Sequence, residues 1–155
     1  MQRLKYLFTF LLIFHVAIIS AQRPSKPVAV KWKPPVVNTW LGTNKDTVML
    51  EVEEAVQLVA VPLTISDAKK AAYPVVSYQC LYRRKGVTED EETGKASPTT
   101  TVVAQTFRST PLSPIWIKTF SDQLKSGEEI YFFDVVSKDA QGKFFFAPSL
   151  LIKVK

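Results

Sequence analysis

Between Val75 and Lys85 the side chains alternate at a period of two, and this constrains the fold more tightly than any other feature of the chain. Val76, Tyr78, Cys80 and Tyr82 share one face, and Val75, Ser77, Gln79 and Leu81 share the other. A period of two is that of a strand in a sheet. The same reading gives strands over Thr47 to Val52, Thr99 to Phe107 and Glu129 to Lys138, each rich in β-branched or aromatic residues. Asp139-Ala140-Gln141-Gly142 is a turn, and Lys143 to Val154 is the returning partner, with a bulge or break expected at Pro148.

Other segments read less regularly. Val28 to Lys33 suggests a first extended segment, Pro34-Pro35 interrupts it, and Val36 to Trp40 resumes as an edge strand. Glu53 to Gln57 adds an irregular or helical turn, and Leu58 to Leu63 is a second apolar run that Pro62 marks as an edge or an end. Ser66 to Ala72 is a polar connection with room for a helical turn, and Gly86 to Pro98 is a long hairpin loop.

Ser113 to Gly127 has a different period. Trp116, Phe120 and Leu124 recur at i, i+4 and i+8, as on one helix face. Ser113 and Pro114 suit the N-cap and N1 positions, and Gly127 suits a stop. The expected architecture is a mainly β chain: an antiparallel, Ig-like β-sandwich of about seven strands with one short helix.

Before this domain, Arg3 and Lys5 form a basic start, Leu7 to Ser20 is an apolar run, and Ile19-Ser20-Ala21 supplies small residues. That layout predicts a secretory signal peptide over residues 1–21, too short and wrongly flanked for a membrane span. No cysteine follows the expected cleavage point, which argues against a lipoprotein anchor. Residues 22–27 read as a disordered leader and 28–155 as a single domain. The predicted location is outside the cytoplasm, in the periplasm.

Losing Arg3 and Lys5 lowers the net charge from +6 to +4, and the remaining basic residues are scattered. Nucleic acid is therefore a poor candidate partner. Cys80 is the only cysteine, so an intrachain disulfide is ruled out, and its place in a strand suits a buried, inert thiol. The only histidine, His15, departs with the signal. This excludes the usual Ser-His-Asp and Cys-His machinery and the commonest metal ligand.

Glu89-Asp90-Glu91-Glu92 lacks the spacing and glycine of a calcium loop. Asp67, Asp122, Asp134 and Asp139 are available for carboxylate chemistry, but nothing in the sequence makes any two of them neighbours. No catalytic residue, metal ligand or cofactor is expected.

The aromatic residues carry more information. Phe144-Phe145-Phe146 and Tyr131-Phe132-Phe133 must each divide between two sheet faces. One set belongs in the core; the other is either covered by the helix of Trp116 and Phe120 or exposed as a contact surface.

Gly127-Glu128-Glu129-Ile130-Tyr131-Phe132-Phe133-Asp134-Val135-Val136-Ser137-Lys138, Gly142-Lys143 and Pro148-Ser149-Leu150-Leu151-Ile152-Lys153-Val154 together resemble the end of the GldM/PorM family. Val75-Val76-Ser77-Tyr78 and Gly86 resemble the middle of the same C-terminal domain, so the likeness covers about Val75 to Lys155. These are periplasmic shaft proteins of gliding motility and type IX secretion. The resemblance implies a shaft-tip domain that meets outer-membrane-associated ring components, with no catalytic residues to carry over. On this reading the chain is expected to depart from the family, with a signal peptide in place of a membrane helix and one domain in place of several.

The expected function is a non-enzymatic, exported protein–protein interaction module with an envelope protein as partner. Trp116, Tyr131, Phe144 and Phe146 are its candidate contact residues, with Arg83 and Arg84 as polar rim. The alternative is a periplasmic small-ligand or glycan binder that stacks sugars on Trp32 and Trp40.

Overall fold

The computed structural model describes residues 31–155. The segments expected to be a signal peptide and a leader, and the start of the expected first extended segment, lie outside the described residues. Lys31 to Lys33, without regular secondary structure, are the described part of a first unit, Met1–Lys33, and all the elements below belong to a second unit, Pro34–Lys155.

Among the described residues there are nine strands and two helices. A small antiparallel sheet has the order β1-β3-β4, from β1 (Val37–Leu41), β3 (Leu63–Asp67) and β4 (Ala72–Tyr73). The large sheet runs β2-β9-β7-β5-β6. Its strands are β2 (Thr47–Leu50), β5 (Val75–Glu89), β6 (Ala96–Phe107), β7 (Glu129–Lys138) and β9 (Leu150–Val154). β8 (Phe144–Ala147) pairs with the far end of β7. β8 and β9 thus line the same strand in sequence, interrupted at Pro148-Ser149, where the break is expected. The large sheet is antiparallel except where β2 joins β9 in parallel. Helix α1 (Val52–Val59) follows β2, and helix α2 (Pro114–Gln123) connects β6 to β7. The chain is mainly β, a β-sandwich with helical cover.

The predicted alternation forms the core. Tyr78, Cys80 and Tyr82 of β5 lie beside Phe132 and Ile130 of β7, which in turn pair with Leu150 and Ile152 of β9. All are nearly or fully buried on one inner face. α2 covers one end of that face, where Phe120 meets Tyr82 edge-on at 5.0 Å between centroids and Trp116 meets Phe107 at 5.5 Å. Ala55 and Val59 of α1 and Val37, Leu41, Leu63 and Ile65 of the small sheet belong to the same core. Each large side chain so buried contributes roughly 1.5–3 kcal/mol of hydrophobic transfer.

Three local readings are corrected. Val52, Ala55, Val56 and Val59 recur at helical spacing, so the segment expected to hold a helical turn and then a strand is one eight-residue helix. The backbone N–H of its N-cap, Glu51, donates to Glu54 Oε2 at 3.2 Å. The loop expected from Gly86 to Pro98 is mostly ladder: β5 and β6 pair from Tyr78–Phe107 out to Glu89–Ala96, leaving only a six-residue connection. That connection is closed by Asp90, whose Oδ1 accepts from Thr93 N at 2.8 Å and Glu92 N at 3.1 Å. The polar segment after Ser66 is likewise a tight turn, in which Asp67 Oδ1 accepts from Lys69 N and Ala71 N.

α2 starts as predicted, with Ser113 at the N-cap and Pro114 at N1. It ends at Gln123, because Leu124 is extended, and Gly127 serves the next turn instead. There its φ of +82° suits glycine, and its N–H donates to Val154 O at 2.7 Å.

Candidate functional site

Strand pairing defines a second, outer face on the large sheet. Cross-strand partners share a face, so Leu81 sits with Tyr131 and Leu151, and Val136 sits with Phe146. A bulge in β7 keeps this face continuous. Gln79 opposes Phe133 but Ser77 opposes Val136, so β7 carries one extra residue there. Asp134 takes the left-handed conformation, with φ +47°, and its Oδ2 accepts from Gln79 Nε2 at 2.7 Å. The extra residue resets the alternation, so Phe132 and Val135 both point inward while Tyr131, Phe133 and Val136 point outward.

The Phe144–Phe146 run divides as a strand must. Phe145 is buried and meets Tyr73 edge-on at 5.5 Å. Phe144 and Phe146 are 62% and 74% exposed on the outer face. Tyr131 and Phe133, half-buried, stack at 5.2 Å with nearly parallel rings. Among the described residues, both helices and the small sheet pack on the inner face, and the outer face carries no layer.

The six candidate contact residues therefore separate. Tyr131, Phe144, Phe146 and Arg83 share the outer face, where Arg83 Nη1 is bound to Glu129 Oε2 at 2.5 Å. Trp116 and Arg84 are on the other side. Trp116 is buried against Phe107 and Phe120, and its indole N–H donates to Gln105 Oε1 at 2.5 Å. Its recurrence with Phe120 and Leu124 marks the buried stripe of α2, which takes Trp116 out of the contact surface. Arg84 lies over the Tyr82 ring at 5.7 Å.

Two grooves flank these faces. An outer groove of about 560 Å³ is lined by Leu81, Arg83, Glu129, Tyr131, Ser149 and Leu151, with Asp46 at its rim. It brings two carboxylates to one groove, Asp46 and Glu129, neither of which stood out in the sequence. Glu129 is engaged by Arg83, and Asp46 lies 3.9 Å from Lys45 Nζ. An inner groove of about 520 Å³ runs between β6 and α2, lined by Arg84, Val103, Gln105, Ile115, Trp116 and Thr119.

The four carboxylates singled out from sequence have local partners. Asp67 and Asp139 close turns, Asp122 pairs with Lys118 at 2.9 Å, and Asp134 holds Gln79. Among the described residues, no three His, Cys, Asp or Glu side chains are placed to hold a metal ion. No helix there is long and apolar enough to cross a membrane.

Trp40 is half-buried with Lys45 Nζ 5.4 Å from its ring, so it is not the open stacking platform the glycan reading expects, whereas Trp32 is exposed. Cys80 is fully buried, and burial pushes its thiol pKa well above the ordinary value. Sequence reasoning missed one buried acid, Glu128. Its carboxylate accepts from Tyr82 Oη, Lys125 N and Lys85 N. Burial, reinforced by that carboxylate, raises the Tyr82 phenol. No protein-family model matches the chain, and no curated protein matches it.

Proposed function

We propose that this chain is an exported, non-enzymatic interaction module that docks on an envelope protein through the outer face of its large sheet. One observation carries the reading: Phe144 and Phe146 stand exposed on a sheet face that no described element covers. Exposed aromatics grouped on one face are costly in water and are the side chains that anchor protein contacts. Lys138 opposes Phe144, and Arg83 and Lys153 flank Glu129 on the same face, giving a basic rim. The complementary partner surface is apolar at its centre and acidic at its edge. The resemblance of Val75 to Lys155 to the shaft-tip domain of gliding motility and type IX secretion makes a periplasmic, outer-membrane-associated ring component the partner to look for.

The test compares the protein with its Phe144→Ser/Phe146→Ser variant as bait in envelope extracts. A defined protein retained by the first and lost by the second supports the reading. Equal retention by both baits, or retention by neither, overturns it.

A second reading, small-ligand or glycan binding, draws on the outer groove, where Tyr131, its ring stacked on Phe133, lines the wall together with polar Ser149 and Arg83. Chemical-shift changes confined to Tyr131 and Leu151 during a glycan titration would favour it over protein docking.

A further inference from the structure

Among the described residues, the large sheet ends on one side at β6, which pairs there with β5 alone. β6 is twelve residues long, and every residue from Ala96 to Thr106 is exposed. Free strand edges normally carry charges that prevent pairing with another strand. β6 has no charged residue from Ala96 to Phe107, and the run Thr99-Thr100-Thr101-Val102-Val103 is β-branched throughout. Its one guard is Pro98, near the hairpin tip.

Apolar side chains flank this edge on both faces. Val102, opposite Arg83, is 52% exposed on the outer face, and Val103, opposite Tyr82, is 45% exposed on the inner face. Beyond Val103 the inner groove leads to Ile115, which is 73% exposed.

We infer that a second copy of this chain occupies the β6 edge, the two β6 strands pairing antiparallel about a two-fold axis at Val102. The occupant follows from self-complementarity, because an isologous contact must tolerate each side chain meeting its counterpart's neighbourhood. Centred on Val102, the register sets Thr101 opposite Val103, Thr100 opposite Ala104 and Thr99 opposite Gln105. Lys95 falls opposite Ser109 and Arg108 opposite Ala96, so no like charges meet. Pro98 falls opposite Thr106, outside the central seven residues, where its missing N–H costs little. Thr101 and Val103 of each copy then lie beside the other's inner groove. The two large sheets become one continuous sheet, and the outer aromatic faces stay open. The pairing is independent of any envelope partner.

Sedimentation velocity on the purified protein across roughly 1–200 μM tests this. The expected result is a concentration-dependent monomer–dimer equilibrium. Val102→Lys, at the exposed centre, weakens it at least tenfold without lowering the melting temperature, and Val102→Glu does the same. Mixing the two variants restores association, because opposite charges now face each other across the axis. Val102→Cys, under mild oxidation, yields a disulfide-linked dimer, whereas Met49→Cys on the opposite sheet edge does not. A monomer at every concentration overturns the inference, as does a dimer indifferent to both charged variants.

Discussion

The phenol of Tyr82 donates a hydrogen bond to the carboxylate of Glu128, and both side chains are 2% exposed. Glu128 also accepts from the backbone N–H of Lys125 at 2.9 Å and of Lys85 at 3.2 Å. One carboxylate thus ties the central strand β5 to the turn between α2 and β7. A buried acid is tolerable only when its oxygens are satisfied in this way. Removing the phenol leaves a charged acceptor short of a donor, so Tyr82→Phe should cost about 1–3 kcal/mol in urea unfolding. Glu128→Ala should cost at least as much, because it strands the N–H groups of Lys85 and Lys125 and leaves the Tyr82 phenol only Gln123 O, at 3.3 Å. A loss under about 0.5 kcal/mol for Tyr82→Phe, the scatter of neutral surface changes, would sink this account.

Burial raises the pKa values of the Cys80 thiol and the Tyr78 and Tyr82 phenols. Each group is neutral when protonated, so at high pH the native state holds protons that the unfolded chain has released. Stability is therefore full below the unfolded values, 9.0 for the thiol and 10.0 for the phenols, and falls as pH rises past them. Each group adds a slope of about 1.4 kcal/mol per pH unit. Denaturation midpoints should begin to drop near pH 9 and drop faster above 10. Cys80→Ala should remove the first part of the fall, and native Cys80 should resist thiol reagents until the protein unfolds.

Much of this core was legible because its signal is local. Tyr78, Cys80 and Tyr82 alternate in sequence and face inward together, and Ser113 and Pro114 take the N-cap and N1 positions of α2 as expected, although the Ser113 hydroxyl makes no capping hydrogen bond. What the sequence withheld depends on partners distant in the chain. The Val52–Val59 helix was obscured by its β-branched residues, whose intrinsic preference is for strands, although Val52, Ala55, Val56 and Val59 are spaced as on a helix face. Nothing near Glu128 in sequence marks it as a buried acid, because two of its donors come from Tyr82 and Lys85, more than forty residues away. Trp116 and Phe146 were both plausible contact residues; only the packing of α2 buries one, and only the bulge at Asp134 aligns the other with Tyr131.

That bulge makes its own prediction. Asp134 sits at φ +47°, which Asp and Asn tolerate and β-branched residues do not. Asp134→Asn should be nearly neutral and keep a side-chain oxygen for Gln79. Asp134→Val should cost more than about 1 kcal/mol through backbone strain, although valine favours strands elsewhere. If Asp134→Val matched or exceeded the parent in urea midpoint, the bulge would not be what keeps Val135 facing the core.

Phe120 and Phe146 give the sharpest contrast between side chains that hold the fold and those left for contact. Phe120 is fully buried against Tyr82 and Trp116, so Phe120→Ala removes a ring from a packed interior and should cost about 3–5 kcal/mol. Phe146 is 74% exposed, so Phe146→Ser should change stability by no more than about 0.5 kcal/mol. The hydrophobic driving force lost at Phe120 is already realised within the chain, whereas at Phe146 it remains available to another surface. Unfolding curves for the two variants side by side decide the matter. A large loss at Phe146 would mean that the outer face is covered by this chain itself, and the docking surface would have to be sought elsewhere.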